Sequence, residues 1–339
     1  DQIKSQDATR GPDVAGITTF TGTSGIVMPS GNTAYRGGRG RGIIVGGYTG
    51  PSPNAGMNNI DYVTIATTGN GTDFGDLTQT VHSMGACASD TRGFRGGGAT
   101  PTAQDNIDYF TISSTGNYTD FGDSIAAGNQ GGGQSNEIRG ISVGTNAPVP
   151  SSGGLNYVQY CTIATTGNMV DFGDSNFTGG YRDAAASPTR GVTAGAQQGN
   201  PGSPTNAIEF CQIATTGNLM DFGDLSRPTM NSACATNGHR MLIGGGGPGS
   251  SPWHSDQIDT IMIPTTGNGT DFGTLKEATQ NAGGTTDSIR FCKFAGSASG
   301  AQNKIDYCNI HTGGECVHFG DLTVSGSSGA CGSNGHGGL

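Results

Sequence analysis

Six arginines recur at one slot of the chain: Arg41, Arg92, Arg139, Arg190, Arg240 and Arg290. Two series of carboxylates keep step with them, Asp73, Asp120, Asp171, Asp221 and Asp271, then Asp76, Asp123, Asp174, Asp224 and Asp321. A guanidinium presents its donors as a rigid planar fork, which suits it to clamp a carboxylate or backbone carbonyls. The expected role is structural: each Arg bonds a carboxylate or a carbonyl of its own unit or of the neighbouring one, and Arg and Asp together form a ring. The other chemistry open to six arginines is a channel that grips an anionic sugar. The clamp is the stronger reading, because every unit carries it and ligand sites usually break symmetry. The paired carboxylates of "DFGD" also raise calcium, which takes roughly six to eight oxygens. The surrounding loop has no dense acidic run, so turn-forming and strand-ending Asp is the better reading. No metal and no cofactor is expected.

The six histidines, His82, His239, His254, His311, His318 and His336, fall in different slots. Nothing pairs a nucleophile with a base. A sialidase-type Asp-box is only loosely echoed by "TTGNGTDFG", without its Trp. A copper-oxidase cluster of Tyr, His and Cys is not formed. The expectation is a protein that is not an enzyme.

These residues sit in a phrase written six times. "TTGNGTDFGDL" (67–77), "STGNYTDFGDS" (114–124), "TTGNMVDFGDS" (165–175), "TTGNLMDFGDL" (215–225) and "TTGNGTDFGTL" (265–275) precede a worn copy, "TGGECVHFGDL" (312–322). The phenylalanines Phe74, Phe121, Phe172, Phe222, Phe272 and Phe319 are spaced by 47, 51, 50, 50 and 47 residues. A fixed period of this size signals a solenoid or a propeller. In the second unit, "ACAS" (86–89), "TRGFRGGG" (91–98), "NIDYFTIS" (106–113) and "TDFGDS" (119–124) read as four short strands bounded by turn residues. No stretch has sustained helical periodicity. Four strands per unit fits a propeller blade, and a β-helix would need a much shorter period. The composition, with 63 Gly and 12% charged residues, falls a little short of low complexity and would by itself fit a disordered chain; the repeated alternation argues for a folded one.

The order of small-residue strand, "RGxxxGG" strand, "IDYxxI" strand, turn and aromatic is similar to the kelch blade. Its glycine pair matches Gly46 and Gly47, Gly96 and Gly97, and Gly244 and Gly245, and weakens to Gly144, Gly195 and Gly296. Its tyrosine resembles Tyr62, Tyr109, Tyr160 and Tyr307, with Phe210 and Thr260 as departures. The kelch tryptophan is absent. "TTGNxTDFGDL" and "TRGxxGGG" in tandem, over roughly residues 41–339, more closely resemble Gly-rich repeat proteins of tailed phages of marine bacteria and cyanobacteria. The resemblance implies an all-β, six-bladed, kelch-like propeller in a virion structural protein, such as a tail fibre or a capsid decoration.

The two ends of the chain suggest how the ring closes. "RGIIVGG" (41–47) lacks the small-residue strand that should precede it, and "SGACGSNGHGGL" (328–339) resembles "SACATNGHRML" (232–242). Blade one is therefore expected to be built from 41–78 plus 328–335, so that no sheet edge is left open. Residues 1–40 do not fit the blade pattern. Within them "GIVMPSGNTAYR" resembles an "LPSGTTAQRP" segment of phage virion proteins, which implies an N-terminal arm that docks on other virion proteins. The absence of a leading Met reads as processing or truncation. No apolar run is long enough to span a membrane, and no signal peptide is visible.

The net charge of −10 argues against a nucleic-acid footprint, which needs a basic face. Cys87, Cys234 and Cys331 share a first-strand slot, and Cys161, Cys211 and Cys308 share a third-strand slot that elsewhere holds Val63, Phe110 or Ile261. Such slots are small, buried and apolar, so free thiols are expected; a Cys292–Cys316 bridge is the one alternative. Reduced thiols suit assembly in a host cytoplasm.

Symmetry breaks in the loops after the "GG" strand, at 48–59, 99–105, 145–154, 196–206 and 246–256, all expected on one face. The sole tryptophan, Trp253, stands there beside His254, and Tyr48 opens the first loop. An exposed Trp among polar groups stacks a sugar ring; the alternative is a plug between loops. Segments 124–138 and 175–188, with Tyr181 and Arg182, are assigned to another face or the rim. The functional expectation is a virion surface protein that presents loops to a host surface polysaccharide. A structural adaptor between virion parts and a glycan hydrolase are the alternatives.

Overall fold

The computed structural model describes residues 40–50, 56–129, 131–145, 154–198 and 203–339. The predicted N-terminal arm, apart from Gly40, and the loop segments 51–55, 146–153 and 199–202 lie outside the described residues. Six sheets stand around one axis as the blades of a propeller, each built on an antiparallel run of four strands, with a short fifth strand added in parallel to blade 5. Blade 2 shows the plan, from the axis outward: Gly85–Ala88, Arg92–Gly96, Gln104–Thr111 and Thr119–Gly128.

The inner strands explain their own composition. They are Gly85–Ala88, Gly132–Ser135, Asp183–Ala186, Ala233–Thr236, Gly283–Thr286 and Ala330–Ser333. Neighbours approach so closely that a Cβ added at Gly133 would stand 2.2 Å from the Ala86 carbonyl oxygen. One added at Gly284 would meet the Cys234 nitrogen at 2.6 Å. Crowding at the axis, rather than turn chemistry, selects Gly, Ala, Ser, Thr and Cys here.

The outer strands of the blades other than blade 3 run further than the pattern suggests, to Gly128 rather than Ser124 in blade 2, while that of blade 3 ends at Asp174. The phrase carries a bulge: Ile107 faces Gly122 while Asp108 faces Asp120. The extra residue bends the strand without ending it, and pairing resumes at Gln104–Gly128.

Blade 1 is closed by the far end of the chain. Gly42, Ile43, Ile44 and Val45 pair with Ser333, Gly332, Cys331 and Ala330. Beyond Ser333 the chain turns across the axis, where Gly337 N–H donates to the Thr236 carbonyl at 2.8 Å. His336 Nε2 lies 2.6 Å from the Ala88 carbonyl.

The apolar core is divided among the junctions, not the blades. Ile43, Val45 and Phe74 of blade 1 pack with Phe110, Ile112 and Tyr118 of blade 2. Val143, Val158 and Phe172 of blade 3 pack with Cys211, Ile213 and Leu219 of blade 4. Equivalent clusters fill the other four junctions. A blade has two apolar faces and buries neither alone, so the ring is the stable unit. All eight cysteines are free thiols, six of them buried and Cys87 and Cys331 half-buried.

Gly133→Ala should cost about 1–3 kcal/mol, the usual range for overpacking. Gly300→Ala, where nothing lies within 4 Å, should stay within about 0.5 kcal/mol. Denaturant unfolding of the two variants checks the axial-crowding account.

Candidate functional site

The arginines form a closed ring of latches. Arg41 Nη1 donates to the Ile112 carbonyl of the next blade at 2.7 Å, and Arg92 to Ile163 at 2.9 Å. Arg139 reaches Ile213 at 2.7 Å, and Arg190 reaches Ile263 at 2.9 Å. Arg240 reaches Ile310 at 3.1 Å, and Arg290 returns to Ile65 of blade 1 at 3.0 Å. Each guanidinium also lies over an aromatic ring of its own blade: Tyr62 at 4.4 Å, Tyr109 at 4.8 Å, Tyr160 at 4.6 Å, Phe210 at 5.0 Å and Tyr307 at 4.9 Å. Where Thr260 replaces the aromatic, Arg240 settles over Phe272 at 5.6 Å instead. In the other blades the phrase's Phe stands edge-on to that same aromatic, as Tyr160 and Phe172 do at 5.8 Å. With every fork engaged by carbonyls and rings, the arginines line no open anion channel among the described residues.

The predicted carboxylate half of this ring needs correction. Asp73, Asp120, Asp171, Asp221 and Asp271 are exposed, and their side chains make no hydrogen bond or ion pair among the described residues. The phrase joins blades through its Asn and its backbone. Asn117 Oδ1 accepts from the Asp76 N–H of the preceding blade at 3.1 Å, and Asn168, Asn218, Asn268 and Asn70 repeat this bond to Asp123, Asp174, Asp224 and Asp321. Gly116 N–H donates to the Phe74 carbonyl at 2.9 Å. The copy in blade 6 has no Asn there; Gly314–Glu315 pairs in parallel with the outer strand of blade 5 instead.

A second latch uses carboxylates that the motif search passed over. Asp61 accepts from the Thr323 N–H at 2.8 Å and its hydroxyl at 2.6 Å, both in the preceding blade. Asp108 accepts from Thr78 at 2.8 Å and pairs with the buried Arg95. Asp259 accepts from Ser226, and Gln159 fills the slot in blade 3, accepting from Ile125 N–H at 2.8 Å. Glu209 takes Ser175 at 2.6 Å and Arg182 at 3.1 Å. In blade 6 Asp306 turns to Lys293 of its own blade at 3.3 Å. The signal was present: Asp108 shares the apolar face of its strand with Phe110 and Ile112. Burial raises the Asp61 carboxyl above the usual carboxylate range, against the Thr323 bonds.

The loop face is where symmetry fails. Trp253 is 61% exposed, so it does not plug a loop; His254 beside it is half-buried. Tyr48 is half-buried and stands edge-on to His82 at 5.4 Å, whose pKa is lowered by burial. Trp253 belongs to blade 5 and Tyr48 to blade 1, so they share a face but not one site.

At the centre of this face Ser83, Tyr181, Asn231, Asn281 and Ser328 all adopt left-handed backbone, with φ of 57°, 59°, 57°, 55° and 55°. They join in sequence around the axis: Ser83 N–H to Ser328 O at 2.8 Å, Ser328 to Asn281 at 2.9 Å, Asn281 to Asn231 at 2.9 Å and Asn231 to Tyr181 at 3.1 Å. This corrects the placement of Tyr181 and Arg182, which stand at the axis of the loop face rather than on another face or the rim. Arg182 is drawn aside by Glu209, the Gly179 carbonyl and the Phe177 carbonyl. The rim encloses a pit whose wall carries Asp183. Asp183 occupies an inner-strand slot that elsewhere holds Gly or Ala. Its Oδ2 accepts from the Ser232 N–H at 2.5 Å and hydroxyl at 2.8 Å. Burial nevertheless pushes its pKa up from 3.8 to about 7.

The single Gly-x-Ser-x-Gly stretch, Gly140–Gly144, lies within the second strand of blade 3, where Ser142 faces Gln159. A nucleophile elbow needs a strand-to-helix turn, which this segment lacks.

No protein-family model and no curated protein matches the chain. Among solved structures that match is the one titled "Structure of YjhT", with a TM-score of 0.63 over 75% of this chain and 88% of that one, at 8% identity. That likeness shows the propeller fold.

Two outcomes follow. Arg139→Ala should cost about 1–3 kcal/mol in denaturant unfolding, since it leaves the Ile213 carbonyl unpartnered, whereas Asp171→Asn should stay within about 0.5 kcal/mol. A carboxyl whose folded pKa lies above its unfolded value favours folding at low pH, and the advantage is lost as pH rises through the folded pKa. Wild-type stability should therefore carry a downward contribution between about pH 4 and pH 7 from Asp183, and Asp183→Asn should flatten it in unfolding curves measured across that window.

Proposed function

We propose that the protein is a non-enzymatic virion surface component, a fibre, knob or decoration, whose loop face binds a surface glycan of the host. One observation carries the reading. The repeated arginines and asparagines are engaged in joining blade to blade, while Trp253, on a loop of the variable face, stands 61% exposed. A large exposed aromatic on a rigid scaffold is the usual anchor of a binding surface, and an indole face suits a sugar ring. The resemblance of the repeat to phage virion proteins supports the viral setting.

A structural adaptor is the second reading. Ile138, 62% exposed, and Ile289, 45% exposed, lie beside the arginine ring on the opposite face, and apolar side chains there suit a flat contact with another virion protein.

The full chain, fluorescently labelled, should bind susceptible bacterial cells saturably, and polysaccharide extracted from those cells should compete. Trp253→Ala should weaken binding about tenfold or more, as loss of an aromatic anchor does. No binding to any susceptible strain overturns the glycan reading and leaves the adaptor.

A further inference from the structure

The pit at the centre of the loop face has an unbalanced charge. Asp183 accepts both bonds from Ser232, N–H and O–H, on one oxygen, Oδ2, and Oδ1 has no partner among the described residues. The adjacent cation does not compensate it. Strand neighbours point to opposite sides, and the Arg182 guanidinium is buried against Glu209 at 3.1 Å. The side-chain amides of Asn231 and Asn281, which line the same pit with Tyr181, also have no hydrogen-bond partner among the described residues.

A carboxylate oxygen, two amide oxygens and an aromatic ring are what a primary ammonium group needs: acceptors for its three N–H donors and a ring face for its charge. A calcium ion needs more oxygens than one carboxylate and two amides provide. No group of three or more His, Cys, Asp or Glu side chains gathers for a metal among the described residues. An anionic ligand would meet Asp183 unscreened. The Trp253 loop is anchored beside the rim of the pit. That loop leaves the sheet at Gly247, which bonds Met230, the neighbour of Asn231, at 2.8 Å. A Cβ on Gly247 would stand 2.5 Å from Oε1 of Gln280, the neighbour of Asn281.

We propose that this pit takes a primary ammonium group carried on a sugar, with Asp183 as its counter-ion and Asn231 and Asn281 as its hydrogen-bond acceptors. This names the ligand class at the centre of the face read above as the binding face, and rests on that reading. Burial of Asp183 alone is costly; an incoming cation relieves that cost, so binding strengthens as the carboxyl ionises near pH 7. The other titratable groups of the wall are the Tyr181 phenol, Arg182, turned to Glu209, and the Cys234 and Cys331 thiols, both raised by burial.

The test titrates the full chain with glucosamine and with N-acetylglucosamine, which keeps the ring and removes the charge, following the Asn side-chain amide signals by NMR. Glucosamine should bind about tenfold or more tightly, the difference expected of a hydrogen bond to a charged group. Asp183→Asn should abolish that preference, and Asn231→Ala should reduce it. Trp253→Ala should weaken both sugars and leave their ratio unchanged, which separates failure of the pit from failure of the loop-face reading. Equal binding of the two sugars, a preference that survives in Asp183→Asn, or stronger binding of Nα-acetyl-lysine amide than of glucosamine would overturn the proposal.

Discussion

The ring depends on the way each blade completes the hydrogen bonding of the next. The carbonyl after each third strand receives the arginine of the preceding blade, six times and without a gap. A guanidinium suits this position because its flat fork reaches the carbonyl while its face rests on a ring of its own sheet. The aromatic, the phenylalanine of the phrase and the arginine thus form one stack per blade. Where one part changes, the others shift, as Arg240 does when Thr260 replaces the tyrosine. The phrase recurs because it serves a junction, and there are as many junctions as blades.

Much of this was legible in the residues. The period of the phenylalanines, the alternation in "NIDYFTIS" and the unmatched ends of the chain imply six blades and a borrowed strand, and the structure has both. The arginine slot was visible, and a carbonyl of the neighbouring unit was among the partners expected for it; which carbonyl it meets leaves no mark in sequence. The carboxylates of "DFGD" drew the eye because they repeat within a motif, yet an exposed Asp in a bulged strand repeats for its turn and edge properties. The buried carboxylates of the third strand repeat just as regularly, hidden inside "IDY". Asp183 escaped for a different reason. It belongs to no motif and stands out only when "DAAA" is set against "GACA", "GGQS", "ACAT", "GGTT" and "ACGS".

The two faces divide the work. On the arginine side, latches and turns repeat with near-symmetry, and the single C-terminal tail crosses them. On the loop side, the backbone ring at the axis keeps the symmetry while its side chains abandon it: Ser, Tyr, Asn, Asn and Ser in turn. A uniform frame with non-uniform contents lets a ligand site change without disturbing the blades. The cost of a half-buried carboxylate at the axis falls on one inner strand; the same slot in the two adjacent strands holds Gly132 and Ala233.

Closure by a borrowed strand has a consequence in time. Arg41–Tyr48 leaves the ribosome long before its partner Ala330–Ser333, which follows almost all of the remaining described chain. Through that interval blades 2 to 6 can stack, but the strand Arg41–Tyr48 waits with its inner edge bare. Long-range pairing of this kind is slow to form, and a bare edge accepts strands from any chain that offers one. A copy further along the same messenger can offer its last strand to that edge, so donation between copies competes with self-closure. The separation of partner strands makes synthesis rate and local copy density part of how this chain closes on itself.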